Sequence, residues 1–178
     1  IQDVMVDFGE PPEFAQMTGV FDGFVADGDT FTFPTDAAEW AGVANENINL
    51  YPLSFPEGGE VRFRAAIPEG GTATNVYFLF EANPYPDNTP SFITANVTIS
   101  GGLADYSVQI PPQDPTQEFN SFVMYILERD RPVMIKDIEV IAYGDISGPG
   151  PLDTDMDGVP DAFDAFPTNP AASEDTDG

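Results

Sequence analysis

Between Phe31 and Val140 apolar and polar residues alternate in short runs interrupted by turn residues, the period-two pattern of β-strands. In "VRFRA" Val61, Phe63 and Ala65 fall on one face and Arg62 and Arg64 on the other. "NVYFLFE", from Asn75 to Glu81, divides into Val76, Phe78 and Phe80 against Tyr77, Leu79 and Glu81. "TANVTIS", "YSVQI", "SFVMYIL" and "VMIKDIEVIA" supply further strands, with turns at "PEGGE", "PEGGT", "SGG" and "PPQDP" between them. Strands spaced in this way predict an all-β fold, a β-sandwich jelly roll of antiparallel strands. Asp36 followed by Glu39 predicts one capped helical turn through "AAEW". The sandwich is expected to end near Tyr143. The Gly- and Pro-rich "GDISGPGPL" beyond it has linker composition. The organisation expected is a β domain over 1–144, a linker over 145–152 and a short irregular acidic segment over 153–178.

That last segment changes the picture. "DTDMDGVPDAFD" places five carboxylates in twelve residues without a base, and like charges so close repel one another unless a cation joins them. Counted from Asp153, acids stand at places one, three, five, nine and twelve (Asp153, Asp155, Asp157, Asp161, Asp164), Gly158 takes the sixth, and the Val159 carbonyl is available at the seventh. This is the ligand order of an EF-hand-type calcium loop. Hard oxygen donors favour Ca2+, and the absence of His and Cys disfavours zinc. The alternative is a solvated acidic tail. Asp164 stands where the bidentate Glu is usual, so affinity is expected to be modest or completed from a following repeat, which "EDTDG" begins at Glu174.

Pro167 and Pro170 forbid the long exiting helix that a paired EF-hand or a dockerin needs. The stretch resembles a thrombospondin type 3 repeat, which implies acid-rich loops wrapped around calcium and the role of a calcium-stiffened spacer between modules. Loops of modest affinity fill where calcium is plentiful, so a secreted, extracellular location is expected.

Charge narrows the partners. The 178 residues hold 31 acids and five bases, a net charge of −26. Eight of the acids lie in the tail, leaving −18 on the remainder. Nucleic acid and anionic membrane are excluded as partners, because both demand clustered Lys and Arg. The absence of His removes Ser-His-Asp and Cys-His chemistry and most zinc catalysis, and the absence of Cys removes disulfides. No apolar run approaches the ~18 residues of a membrane span. The opening "IQDVMVDF", with neither signal peptide nor initiator Met, is expected of a mature or excised fragment of something larger.

The words "WAGVANENINLYPLSFPEGGEVRFRA", "NPYPDNTPSF" and "IKDIEVIA" resemble carbohydrate-binding modules of the family 4-like jelly-roll group that accompany marine bacterial polysaccharide-degrading enzymes. The resemblance spans most of residues 1 to 143. It implies a saccharide site and, near the chain termini, a structural calcium, for which Asp7, Glu10 and Asp137 are the matching acids. Asp137 is flanked by apolar strand residues, so if buried it needs calcium or a backbone donor.

A sugar-binding sheet presents aromatic faces to pyranose C–H groups and planar hydrogen-bonding groups to hydroxyls. The inventory is Trp40, Tyr51, Tyr77, Tyr85, Tyr106 and Tyr125, with Arg62, Arg64, Glu81, Asn45, Asn47 and Asn83. Trp40 is either at the mouth of a groove or a partly buried anchor. Arg62 and Arg64 share one face, as ligand contacts or with Arg64 bridged to Glu81. Tyr85, in the Pro-flanked "NPYPDN", presents a ring or packs its own loop. Tyr125 alternates with Val123 and Leu127, which points to the core unless that face lines the groove.

Three functions follow. The first is a monomeric, non-catalytic module binding a neutral algal polysaccharide, with a β-1,3-glucan such as laminarin foremost, tethered by the calcium spacer to a secreted glycan-degrading enzyme. The second is a calcium-dependent adhesion or structural module. The third is a small glycoside hydrolase or lyase, since two carboxylates suffice for hydrolysis, although no pair stands out.

Overall fold

The computed structural model describes residues 13–144. The expected calcium loop (Asp153, Asp155, Asp157, Val159, Asp161, Asp164) and the N-terminal acids Asp7 and Glu10 lie outside these residues.

The described chain is a β-sandwich jelly roll of two antiparallel sheets. In chain order its strands are β1 (Met17–Phe21), β2 (Val25–Asp27), β3 (Thr30–Thr32), β4 (Gly42–Asn45), β5 (Gly59–Ala66), β6 (Thr74–Glu81), β7 (Ser91–Ile93), β8 (Val97–Ile99), β9 (Ala104–Ile110), β10 (Ser121–Ile126) and β11 (Val133–Ala142). The first sheet runs β1-β4-β10-β6-β7, with β8 pairing the other end of β6, and the second runs β2-β3-β11-β5-β9. Of the edge strands, β2, β7 and β8 are three residues long and offer little unpaired backbone to a foreign chain, whereas β9, at the other edge of the second sheet, runs seven residues.

The alternation in β5 and β6 is realised as expected. Val61, Phe63 and Ala65 are buried while Arg62 and Arg64 are exposed, and Val76, Phe78 and Phe80 are buried beneath Tyr77 and Leu79. Inward residues of both sheets meet in one core of phenylalanines. Phe80 packs on Phe122 with ring centroids 4.8 Å apart and on Phe92 at 4.9 Å, and Phe63 meets Phe78 edge-on at 5.5 Å. Each buried Phe side chain is worth roughly 1.5–3 kcal/mol of transfer free energy, so this cluster is what makes the outward faces rigid platforms.

One local expectation is corrected, and the condition attached to Asp137 is not met. No helical turn forms through "AAEW": residues 35–40 make two successive turns, closed by the Ala37 N–H to the Pro34 carbonyl at 3.1 Å and the Ala41 N–H to the Ala38 carbonyl at 3.0 Å. Asp137 is not buried. Lys136 pairs with Arg64 and Glu139 with Arg62, so Asp137 and Ile138 together oppose Phe63, a β-bulge. Asp137 takes a left-handed conformation (φ 53) that turns its carboxylate to solvent and lets Ile138 drop into the core.

The connection between β10 and β11 acts as a clamp. Glu128 accepts from the Thr74 hydroxyl at 2.9 Å and from the Asn75 N–H and side-chain amide at 2.6 Å each, and Arg131 donates to the Ala73 carbonyl at 2.9 Å. Burial opposes the charge on Glu128, but the hydrogen bonds from Asn75 and Thr74 outweigh it and hold its carboxyl below the ordinary value.

Candidate binding groove

Cross-strand register builds the outward face of the first sheet row by row. Tyr125 pairs with Tyr77, Val123 with Leu79 and Ser121 with Glu81 between β10 and β6. On one side β4 sets Ala44 against Val123, and on the other β7 sets Ile93 against Leu79. Paired residues point the same way, so Ala44, Val123, Leu79 and Ile93 form an apolar row crossing four strands. Beside it lies an aromatic row in which Phe21 meets Tyr125 edge-on at 6.2 Å and Tyr125 stacks on Tyr77 at 5.2 Å. Gly42 is what lets Tyr125 lie there, because a Cβ at that position would sit 2.8 Å from the ring.

Two loops raise walls over this floor. The turns at 35–40 bring up Trp40, which is 65% exposed, and the segment after β6 brings up Tyr85, which is 84% exposed. With Phe21, Asp22, Asn88 and the floor residues they enclose a groove of about 770 Å³, within the ~300–1,000 Å³ range of small-ligand sites. The indole is oriented by its Nε1–H, which donates to Asp22 Oδ2 at 2.8 Å.

Glu81 lies buried at the end of the floor, accepting from the Asn88 amide at 3.0 Å and from the Ser121 hydroxyl at 2.6 Å. A carboxylate offers about four acceptor sites, so two remain for a ligand's hydroxyls. Asn88 also ties the Tyr85 loop to the floor. Burial, followed by the charge of Glu81 and then Tyr77 and Asp22, pushes the Tyr125 hydroxyl up to about 12, and burial raises that of Tyr77. Both phenols are therefore neutral donors at ordinary pH.

Trp40, Glu81, Tyr85 and Tyr125 are thus brought together. Tyr77 stands behind Tyr125 as its packing partner and does not line the groove. The expectation that Tyr125 turns into the core is corrected: Phe122, Met124 and Ile126 take the inward positions of β10. Arg62 and Arg64 are not part of this groove. They stand on the outward face of the second sheet, beside Phe14, Tyr106 and Glu139 in a shallower hollow of about 470 Å³. There Arg62 is paired with Glu60, while Arg64 lies 3.6 Å from Asp105 and 3.8 Å from Asp137, so the bridge expected between Arg64 and Glu81 does not form. Among the described residues no group of three His, Cys, Asp or Glu side chains is gathered as a metal site, around Asp137 or elsewhere.

The remaining polar inventory is structural. Asn45 accepts from the Gln16 N–H at 2.8 Å, Asn47 caps the 3₁₀ turn at Ile48–Leu50, and the Tyr51 hydroxyl accepts the Phe122 N–H at 3.0 Å. Tyr106 stacks on Phe63 at 5.8 Å in the other sheet. Asn83 is exposed and is not among the groove's lining residues. The lining residues that the sequence did not single out are Phe21, Asp22, Ala44, Leu79, Pro84, Asn88, Ser121 and Val123. For Leu79 the signal existed, since it alternates in phase with Tyr77 and Glu81.

No protein-family model matches the chain, and no curated protein matches it. Among solved structures it is similar to a family 29 carbohydrate binding module from Piromyces equi, with 14% identity, 68% of this chain and 76% of that one covered, and a TM-score of 0.45. It is also similar to a CBM4 structure at 12% identity, covering 71% of this chain and 77% of that one, with a TM-score of 0.45. A third is the CBM22-1 xylan-binding domain from Paenibacillus barcinonensis Xyn10C, at 11% identity, 72% and 90% coverage and a TM-score of 0.41. At identities this low, what the groove can hold is decided by its own side chains.

Proposed function

We propose that this chain is a non-catalytic carbohydrate-binding module for a neutral polysaccharide, with a β-1,3-glucan such as laminarin as the first ligand to test. One observation carries the reading: exposed Trp40 and Tyr85 stand with Tyr125 around a groove that contains a buried acceptor, Glu81, and no base. Aromatic walls suit the apolar faces of sugar rings. An acceptor-rich floor suits hydroxyls. A sulfated or carboxylated glycan brought to Glu81 and Asp22 would meet like charge at low dielectric. Both groove carboxylates are engaged in positioning, Asp22 on the indole and Glu81 on Asn88 and Ser121, which favours binding over hydrolysis.

Trp40 is the single tryptophan of the chain, so intrinsic fluorescence reports on the groove directly. Titration with laminarihexaose should shift its emission, with an affinity insensitive to salt because no counterions are released. No spectral change with any neutral oligosaccharide of a glycan array would overturn the reading. Reducing-end release from laminarin that vanishes in Glu81→Gln would replace it with the hydrolase.

The spacing of Asp153, Asp155, Asp157, Val159, Asp161 and Asp164 supports a further part of the proposal, a calcium-ordered spacer joining this module to a secreted glycan-degrading enzyme. Chelation should speed hydrogen exchange beyond Leu152 and leave the sandwich protected. Equal exchange with and without chelator would sink it.

A further inference from the structure

We infer that Arg129 is a positioning residue for the groove, holding the loop that presents Trp40; the inference rests on the groove being the saccharide site. Residues 33–41 belong to no strand, so no sheet ladder fixes them, and loops without such ladders open locally at little cost. Instead the two N–H groups of one Arg129 nitrogen, Nη1, are shared among three carbonyls of this loop, those of Pro34 at 2.7 Å, Thr35 at 3.0 Å and Ala37 at 2.9 Å. Its guanidinium carbon lies 4.0 Å from the centroid of the Phe33 ring. The next residue continues the clamp. Asp130, left-handed at φ 59, accepts the Thr35 N–H at 2.9 Å and the Thr35 hydroxyl, and gives its own N–H to the Phe33 carbonyl at 2.8 Å.

From the opposite side the β1–β2 turn closes on the same loop. Ala38 donates to the Asp22 carbonyl at 3.0 Å, and Gly23, at φ 94, lets the turn approach Ala37 so closely that a Cβ would stand 3.1 Å from its backbone. The loop is therefore gripped in front by the residue that orients the indole and behind by Arg129. An indole 65% exposed has little packing of its own, so its pose is inherited from this backbone. Ordering it before the ligand arrives removes a cost from binding. Lysine would keep the charge and a nitrogen with several donors, but not the planar guanidinium whose carbon lies over the Phe33 ring.

The test uses the full chain with Arg129→Lys and Arg129→Ala, each also in a Trp40→Ala background. Because Trp40 is the single tryptophan, time-resolved fluorescence anisotropy reads the loop without any ligand. In Arg129→Lys, with a cooperative melt retained, the fast depolarising amplitude should rise about twofold and laminarihexaose affinity should fall about fivefold. In the Trp40→Ala background the same substitution should change the remaining affinity less than about twofold, as coupling through Trp40 requires. Unchanged anisotropy in both Arg129 variants, or an equal affinity loss with and without Trp40, would overturn the inference. Should the unaltered chain bind no laminarihexaose, the proposed ligand fails, and anisotropy alone then decides the role of Arg129.

Discussion

The two outward faces of the sandwich come from the same alternation and differ in how they treat charge. On the second sheet, Arg62 and Arg64 stand among Glu60, Asp105, Asp137 and Glu139, so the cations there are answered by neighbouring carboxylates. On the first sheet, the outward rows are Phe21, Tyr125 and Tyr77 beside Ala44, Val123 and Leu79, with Glu81 at one end and no base in the groove. Only this second arrangement also carries walls, because the loops bearing Trp40 and Tyr85 rise over it. In a chain this acidic, a pair of arginines is as well explained by balancing nearby acids as by gripping a ligand. The absence of any base around a set of exposed rings is the more telling feature.

The contrast breaks most visibly at Trp40. Trp40→Ala should weaken laminarihexaose binding by about thirty-fold, or roughly 2 kcal/mol, as loss of an exposed aromatic anchor does, with little change in melting temperature. Calorimetry on both proteins checks this, and unchanged affinity would move the site off this face. Next is Gly42→Val, whose Cβ enters the space held by the Tyr125 ring. Overpacking of this kind costs about 1–3 kcal/mol, so both thermal stability and binding should fall together.

Alkali sharpens the comparison. The Tyr125 hydroxyl is raised in the folded protein from 10.0 to about 12, chiefly by burial and then by Glu81. The unfolded chain therefore loses this proton first as pH rises. The stabilisation is fully present below pH 10 and is lost as pH climbs through about 12. Denaturant midpoints should decline over that window, and Tyr125→Phe should flatten the decline; an identical slope in the variant would contradict the assignment. The smallest effect is expected on the opposite face. Arg64→Ala with Asp105→Ala should leave saccharide affinity unchanged and shift stability by less than about 1 kcal/mol, since that ion pair is exposed and exposed pairs contribute little. A tenfold affinity loss in that double variant would bring the second sheet into the site.

Much of the fold was legible because strands such as β5 and β6 carry unbroken alternation with phenylalanine at inward positions. The strands β1 to β4 were less visible, being three to five residues long and interrupted by Gly19, Gly23 and Gly28. The helical turn expected after Asp36 does not form, and the loop is held instead by Arg129 and Asp130, almost a hundred residues away, which bond the backbone of Pro34, Thr35 and Ala37. The exposure of Asp137 was not legible because a bulge inverts the phase of alternation at that point, and a bulge adds no distinctive local composition. Trp40, Tyr85 and Glu81 could be picked out by residue type alone. Phe21 could not, since nothing near it in the chain marks it as a neighbour of Tyr125, whereas Ser121 alternates in phase with Val123 and Tyr125 along β10.

Period-two patterning was sufficient to determine an antiparallel sandwich and the inward set of phenylalanines. These are properties of composition and of near neighbours, where alternation places each side chain on one of two faces. Which outward face becomes a groove was decided only by strand order, which sets β10 between β4 and β6 and so joins positions 21, 44, 81 and 125. The loop bearing Trp40 was decided likewise, by Arg129 reaching across the fold. Hydrogen bonds and sheet pairing between distant segments depend on the closed structure, and no local stretch of the chain encodes them.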